Sequence, residues 1–199
     1  MASSITFKSV AKKYKGNTIL ADLSFGVEEK SAFALIGKNN SGKSLILRLL
    51  SGLSRSDKGN IYIKGQDIQS RSSEIQSIIG YMPQSNYLNR DLKAVDNLSV
   101  FCNLNGIKKQ DFQDQLYNWT DRLKLTKSDL NFYPKDLSFE KIRKILFIRS
   151  ILHNPSILLL DDPTRGLDTF SSALIWEVVE SFKKTKSIIF TTSDLDAVE

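Results

Sequence analysis

The sequence predicts an α/β domain whose central sheet is mainly parallel. Segments with the composition of strands alternate along the chain with segments of helical periodicity, which is the arrangement that produces parallel βαβ units. In addition, residues 157–160 read Ile-Leu-Leu-Leu, as expected for a strand that is covered on both faces. The chain of 199 residues, 41% hydrophobic and 25% charged, is long enough for one globular domain with its own core.

The first half of the chain predicts strands joined by short turns, and one helix. Each predicted strand combines β-branched or aromatic residues with bounding turn residues. The strands are predicted at residues 5–10, 19–27, 31–36, 59–65 and 78–82, and the helix at 45–50. Residues 12–16, Lys-Lys-Tyr-Lys-Gly, predict a basic turn between the first two strands.

The second half is richer in helical periodicity. Apolar residues recur at helical spacing across residues 91–130, which predicts a helical subdomain. A further helix is predicted at 138–152, with Ile142, Ile145, Leu146 and Ile148 facing inward. The apolar strand at 157–160, a helix at 169–183 and a last strand at 187–191 complete the α/β pattern.

The main functional signal is the segment 37–44, which matches G-x-x-x-x-G-K-[ST], the phosphate-binding loop, between a predicted strand and a predicted helix. A helix N-terminus presents unpaired N–H groups and partial positive charge, and glycines let the backbone approach a phosphate closely. Lys43 is expected to reach the β- and γ-phosphates, and the Ser44 hydroxyl to coordinate Mg²⁺. The predicted nucleotide-binding residues here are Gly37, Lys38, Asn39, Asn40, Ser41, Gly42, Lys43, Ser44 and Leu45.

Two carboxylates follow the apolar strand and provide the second functional signal. A carboxylate at the C-terminal end of a strand, beside a phosphate-binding loop, can hold Mg²⁺ through water. Asp161 has this position, and the next residue, Asp162, is placed to orient the attacking water. Together the two signals predict the core of a P-loop NTPase.

With these motifs in this order, nearly the whole chain resembles the ATP-binding subunit of ABC transporters. Besides the phosphate-binding loop, the matching positions are Gln84 after Tyr-Met-Pro, Leu137 and Ser138 before a helix, the strand that ends at Asp161, and Asp168 in Gly-Leu-Asp. In the family, the position of Asp168 lies at a dimer contact.

The resemblance implies both a fold and a set of roles. The fold is a single ABC-type ATP-binding domain over residues 1–199, in which an N-terminal antiparallel β portion and an inserted α-helical subdomain, about 88–150, accompany the parallel core. Tyr14 is expected to stack on adenine, since a ring face supplies stacking area. Gln84 is expected to bridge Mg²⁺, water and the helical subdomain, and Ser138 to donate to a γ-phosphate.

The loop that the family calls its signature departs from the usual pattern. Family members read Leu-Ser-Gly-Gly-Gln or close to it, and this chain reads Leu-Ser-Phe-Glu-Lys at 137–141. Phe139 adds bulk where backbone should approach a phosphate, and Glu140 brings a negative charge toward a negative charge. Lys141 is the residue expected to offset Glu140.

Two positions of the hydrolytic machinery depart as well. Asp162 stands where the family has a glutamate, and its side chain is shorter by one carbon–carbon bond, about 1.5 Å. A misplacement of about 1 Å can cost on the order of 100-fold in rate, or roughly 2.7 kcal/mol. Ser193 stands where the family has a switch histidine, so it offers a hydrogen bond without a charge. By resemblance, the catalytic residues are Gln84, Asp162 and Ser193, and the metal ligands are Ser44, Gln84 and Asp161.

The resemblance also implies cofactors and partners. Two such subunits sandwich ATP and Mg²⁺ head to tail, so that each site joins the phosphate-binding loop of one subunit to the signature loop of the other. The second ATP-binding subunit can be identical or different, and an integral membrane subunit completes the transporter. Tyr-Met-Pro-Gln at 81–84 and Val-Asp-Asn-Leu at 95–98 resemble the exporter branch of the family. We expect tight binding of Mg·ATP and slow hydrolysis.

Composition narrows the remaining possibilities. One cysteine and one histidine exclude a disulfide or a cysteine metal cluster within the chain. No apolar stretch reaches membrane-spanning length, and residues 1–4 lack the features of a signal peptide, so a cytoplasmic protein that associates peripherally with the membrane is expected. The net charge of +6 permits contact with nucleic acid, but the lysines are dispersed and no nucleic-acid partner is expected.

Two other functions fit part of the pattern. A soluble ABC-type ATPase acting on ribosomes or nucleic acid usually carries two nucleotide domains, whereas this chain has one phosphate-binding loop, and the DNA-repair type also inserts a long coiled coil. A non-catalytic ATP-binding regulator would use dimerisation alone, and the three departures favour it. The retained Lys43, Ser44, Gln84 and Asp161 show that the residues of a nucleotide site remain.

Overall fold

The computed structural model describes residues 3–70 and 73–192, which form two sheets and the helices that cover them. The strands are β1 (Ser3–Tyr14), β2 (Asn17–Glu28), β3 (Ala32–Ile36), β4 (Lys58–Ile63), β5 (Gln66–Asp67), β6 (Ile79–Met82), β7 (Ile157–Asp161) and β8 (Ser187–Thr192). The helices are α1 (Lys43–Leu50), α2 (Ser73–Ser77), α3 (Ala94–Leu104), α4 (Lys109–Arg122), α5 (Lys127–Leu130), α6 (Phe139–Ile151) and α7 (Thr169–Phe182).

The two sheets differ in strand direction. A four-stranded antiparallel sheet has the order β2-β1-β4-β5, and a four-stranded parallel sheet has the order β3-β8-β7-β6. The helices α3 to α6 lie between β6 and β7 in the chain. The predicted fold class, a mainly parallel core with an N-terminal antiparallel portion and inserted helices, is therefore confirmed.

The central strand β7 contributes to two hydrophobic cores. Ile157 and Leu159 pack with the antiparallel sheet and α1. Leu158 and Leu160 belong to the other core, which is formed with helices α3 to α7. All four side chains are 0% exposed. Because successive side chains of a strand point to opposite faces, a strand that is buried on both faces has to be apolar throughout, as predicted.

The structure corrects several local predictions. The basic segment at 12–16 is not all turn, because β1 continues to Tyr14, which pairs with Asn17, and leaves only Lys15 and Gly16 as the turn. The short elements α2 and β5 were not predicted, since they are too brief to show a period. The inward face of α6 contains the buried Arg143 and Lys144 in addition to the predicted Ile145, Leu146 and Ile148, and the predicted Ile142 is partly buried.

The parallel sheet determines where a site can form. All of its strands run the same way, so the loops that follow β3, β6 and β7 emerge at one edge. In open α/β sheets, ligands bind outside the carboxyl ends of the strands. Across the described ranges, none of the helices has both the length and the apolarity needed to cross a bilayer.

Candidate functional site

The loop between β3 and α1 has the backbone geometry of an anion cradle. Gly42 caps α1 with φ 93° and ψ 0°, a left-handed conformation that favours glycine. A Cβ at this position would also lie 3.1 Å from the Leu20 side chain. The ammonium of Lys43 donates to the carbonyl of Gly37 and, at 2.9 Å, to the carbonyl of Lys38. The loop therefore wraps around its own lysine, and the N-terminus of α1 opens at the same place.

A hydroxyl and a carboxylate meet beside this loop. The Ser44 hydroxyl donates to Asp161 Oδ1 at 2.9 Å, and the Thr191 hydroxyl donates to the same oxygen at 2.7 Å. Asp161 is 3% exposed, so its carboxylate is held in one orientation by groups from α1 and β8. A hydroxyl and a carboxylate are hard oxygen donors of the kind that Mg²⁺ prefers, and Mg²⁺ bound to nucleotides typically takes one or two carboxylates plus phosphate oxygens. The donor set present fits Mg²⁺.

The two predicted water-orienting side chains also lie together. Gln84 Nε2 is 3.4 Å from Asp162 Oδ2. Asp162 has a left-handed backbone, φ 51°, and its N–H donates to the Thr191 hydroxyl at 2.9 Å. Aspartate tolerates this conformation better than most residues do. Thr191 therefore joins β8 to the carboxylate of Asp161 and to the main chain of Asp162 at the end of β7.

A cavity of about 500 Å³ lies over these groups. Its lining includes ten of the predicted site residues and three others, namely Asn39, Asn40, Ser41, Gly42, Lys43, Ser44, Leu45, Gln84, Asp161 and Asp162, with Ile19, Arg165 and Thr191. The polar part of the lining combines loop N–H groups, an ammonium, a hydroxyl and carboxylates. That combination can take a polyphosphate together with a divalent cation.

The remaining predicted site residues lie elsewhere. Gly37 and Lys38 bind Lys43 through their carbonyls without lining the cavity. Tyr14 lies at the end of β1 with its side chain exposed, and Ser138 precedes α6; neither lines this cavity. Ser193 lies outside the described residues.

Sequence reasoning missed Ile19 and Arg165, which line the cavity, and two residues that bond the site, Thr191 and Arg143. Thr191 was placed in the last strand without a role, although a hydroxyl at the carboxyl end of a parallel strand is a recognisable signal. Arg143 was overlooked on the inward face of α6, where it is 1% exposed and donates to the backbone carbonyls of Gln84 and Asp162. A charged residue at the spacing of buried apolar neighbours was the signal for it.

The start of α6 forms a closed network within the chain. Glu140 accepts from Lys144 Nζ at 2.6 Å and from the Ser171 hydroxyl at 2.7 Å, and these bonds lower the pKa of Glu140. The prediction that Lys141 offsets Glu140 is wrong, since Lys141 instead pairs with Asp129 at 2.7 Å. One helical turn separates Glu140 from Lys144, so their side chains meet on one face.

Two neighbours complete the surface at this end of α6. Ser138 caps the helix by accepting from the Lys141 N–H at 3.3 Å. Phe139 is 53% exposed, and its ring covers Gly166, where a Cβ would lie 2.9 Å from the ring. Asp168 caps α7 by accepting from the Ser171 N–H at 2.7 Å.

Comparison with known sequences relates the whole chain to one family. The family described as ABC transporter matches residues 20–165. Over its full length the chain is 32% identical to an uncharacterized ABC transporter ATP-binding protein of Methanocaldococcus jannaschii and spans 71% of that protein. Over 98% of its length it is 31% identical to the Nod factor export ATP-binding protein I of Sinorhizobium fredii, of which it spans 57%.

Comparison with solved structures gives the same fold. A dimeric ATP-binding cassette in a post-hydrolysis state, bound to ADP and Pi, superposes with a TM-score of 0.89 at 22% sequence identity. The superposition covers 97% of this chain and 89% of the other.

Proposed function

The chain belongs to the ABC transporter family of ATP-binding domains, an ATP-hydrolysing family, and from this premise we propose that it binds Mg·ATP tightly and hydrolyses it slowly as one subunit of a transporter. The proposal treats residues 1–199 as one ATP-binding domain with a helical subdomain at about 88–150. The observation that carries it is the bond from Ser44 to Asp161 beside the phosphate-binding loop, 2.9 Å long.

Binding rests on the groups around the cavity. The N–H groups at the start of α1 and the ammonium of Lys43 offset the charge of the β- and γ-phosphates. Ser44 and Asp161 are the proposed Mg²⁺ ligands, with Gln84 as a further oxygen donor. When bound, Mg²⁺ neutralises charge on the β- and γ-phosphate oxygens. Tyr14 is exposed at the end of β1, and we assign its ring to adenine stacking.

The proposed slow hydrolysis follows from the residues assigned to the water that attacks the γ-phosphate. Gln84 and Asp162 orient it, and Asp162 accepts its proton. The Asp162 carboxylate ends about 1.5 Å short of a glutamate at the same position. Ser193 is assigned to the γ-phosphate side, where it supplies a hydrogen bond but no positive charge. Both differences reduce the stabilisation of the transition state and leave ground-state binding intact.

The partner assignment rests on the start of α6. In a head-to-tail dimer, Ser138 faces the nucleotide on the second subunit, together with the bulky Phe139 and the paired Glu140. We assign to this chain a second ATP-binding subunit, identical or different, and an integral membrane subunit at the cytoplasmic face of the membrane. The export protein among the relatives supports the exporter branch.

A second candidate function is a non-catalytic regulator that binds ATP and dimerises with a competent subunit. One observation favours it: Glu140 is tied to Lys144 and Ser171 by bonds of 2.6 and 2.7 Å, so its carboxylate is held at the start of α6 by partners within the chain. Under this alternative, ATP would promote dimerisation and turnover would occur only at the partner's catalytic residues.

The experiment that tests the proposal combines equilibrium binding of Mg·ATP with single-turnover hydrolysis, the protein being in excess. Lys43→Ala is the matched control, and its loss of charged hydrogen bonds lowers affinity by about 100-fold. Slow turnover in the wild-type chain that disappears in Lys43→Ala supports the proposal, whereas binding with no turnover supports the regulator. Equal affinity in both proteins contradicts a nucleotide site. Turnover on the order of 1 s⁻¹ or faster contradicts slow hydrolysis.

The partner is tested separately by purifying the tagged chain from membranes and from soluble extract. Co-purification with an integral membrane protein supports the transporter assignment. Co-purification with RNA, resistant to moderate salt, contradicts it.

A further inference from the structure

Arg143 connects three parts of the molecule from a buried position. It lies one turn inside α6 and is 1% exposed. Its Nη1 donates to the carbonyls of Pro83 and Gln84, each at 2.9 Å. Its Nη2 donates to the carbonyl of Asp162 at 2.6 Å and lies 3.4 Å from that of Asp161. One guanidinium therefore bonds both loops that carry the groups proposed to face Mg²⁺ and water.

The form of these contacts indicates positioning. All four acceptors are backbone carbonyls, so the bonds hold main chain and leave the side chains of Gln84 and Asp162 directed toward each other. Nε of Arg143 is buried without a partner among the described residues, so the side chain is not arranged to satisfy every one of its own donors. Burial lowers the pKa of Arg143, and the nearby Asp162 and Asp161 carboxylates oppose that shift.

The cost of this arrangement strengthens the argument. A buried guanidinium loses its hydration, and a packed apolar side chain of similar volume is often as stable. Two rigid N–H forks can bridge separate carbonyls at the same time, which the single ammonium of a lysine cannot do with the same geometry. Arginine is therefore required at position 143 mainly for the geometry of its N–H groups, and less for its charge.

We propose that Arg143 is a positioning residue for Mg²⁺, which holds the main chain at Gln84 and at Asp161–Asp162 at the separation that the metal and its nucleotide require. The inference rests on the Mg·ATP site of the proposed function. Replacing a group that hydrogen-bonds and orients the residues coordinating a metal typically lowers metal affinity or activity by roughly 10–100-fold. The phosphate-binding loop makes none of these bonds, so nucleotide binding without metal should not depend on Arg143.

The test measures the affinity for a non-hydrolysable ATP analogue by calorimetry, once with Mg²⁺ and once with EDTA. The ratio of the two affinities isolates the contribution of the metal and requires no turnover. The variants are Arg143→Lys and Arg143→Met, which retain charge and volume respectively. Arg149→Lys is the matched control, because Arg149 lies on the same helix and bonds the Tyr87 carbonyl at 3.3 Å, away from the carboxylates.

Both Arg143 variants are expected to lower the ratio of the affinities with Mg²⁺ and with EDTA by roughly 10–100-fold, while the affinity in EDTA stays the same. Arg149→Lys is expected to leave the ratio unchanged. An unchanged ratio, or equal losses with and without Mg²⁺, overturns the proposal and indicates a purely structural arginine. Failure of both variants to fold also overturns it, since the residue would then support the whole domain. If the wild-type chain shows no Mg²⁺ effect, the Mg·ATP site itself is contradicted.

Discussion

The side chains around the phosphate-loop cavity and those at the start of α6 are held in place in different ways. Around the cavity, groups from separate strands converge on a space of about 500 Å³, as when Ser44 and Thr191 both bond Asp161. At the start of α6, the side chains satisfy one another, with Glu140 bonded to Lys144 and Ser171. In the first region the side chains surround an open space, whereas in the second they pair with one another.

This difference separates two kinds of departure from a family pattern. In the proposed site, Asp162 keeps the carboxylate expected at its position and shortens its reach. Phe139 and Glu140 change the chemistry and bring compensating contacts, since the Phe139 ring covers Gly166 and Lys144 neutralises Glu140. A substitution with its own partners is part of the fold, so reversing it should cost stability, whereas lengthening Asp162 should mainly change rate.

The largest effect is expected for Asp162→Glu at the cavity. The longer side chain restores about 1.5 Å of reach, and a correction of about 1 Å is worth on the order of 100-fold in rate. Single-turnover hydrolysis should therefore accelerate by up to about 100-fold, with the affinity for Mg·ATP unchanged. Asp162→Asn, which has the original length without the charge, is the control. No acceleration in Asp162→Glu would mean that reach is not what limits turnover.

The next effect tests the start of α6 through Glu140→Ala. This change leaves the Lys144 ammonium, whose side chain is 4% exposed, without its carboxylate. After allowance for the 39% exposure of the Glu140 side chain, a loss of about 2 kcal/mol in the free energy of unfolding is expected. Urea unfolding measures it, and adding Lys144→Met should recover most of the loss. Equal stability of wild type and Glu140→Ala would contradict the conclusion that Glu140 and its partners stabilise the start of α6.

A smaller effect is expected at Tyr14, which is 64% exposed and does not line the cavity. Stacking of a base on an aromatic ring is worth about 1–3 kcal/mol, so Tyr14→Ala should weaken ATP binding by roughly 10-fold. Tyr14→Phe should bind normally, and inorganic triphosphate should bind both variants alike. A loss of triphosphate affinity in Tyr14→Ala would instead show an effect on the phosphate-binding loop.

The smallest effect concerns pH. The hydrogen bonds from Lys144 and Ser171 lower the pKa of Glu140, so its ionised form adds stability above the unfolded pKa, about 4.3, and loses it as the pH falls through the folded value. The difference in unfolding free energy between wild type and Glu140→Gln should be largest near pH 7 and shrink below about pH 5. Glu177→Gln, at an exposed position, is the control. A difference that grows toward low pH would contradict the network.

Much of the site could be predicted from the sequence because its signals are local. The loop that contains Lys43 and Ser44 is contiguous, and Asp161 comes directly after four apolar residues of a strand. The neighbouring residues therefore predict the structural context of each motif. The fold class was equally accessible, since the alternation of strand and helix patterns is itself a short-range property. The extension of β1 to Tyr14 was missed because pairing with Asn17 outweighs the polar composition of that segment.

The sequence by itself determined the phosphate-binding loop, the carboxylates beside it and the parallel sheet that brings them to one edge. Only the tertiary structure decided which side chains balance the charges. Lys141 was the nearest candidate in sequence for Glu140, but the helix turns Lys144 toward Glu140 and leaves Lys141 for Asp129. Arg143 bonds carbonyls about 60 residues before it and 18–19 residues after it in the chain. Side-chain partners depend on direction and distance in space, and spacing along a chain does not specify these across separate elements.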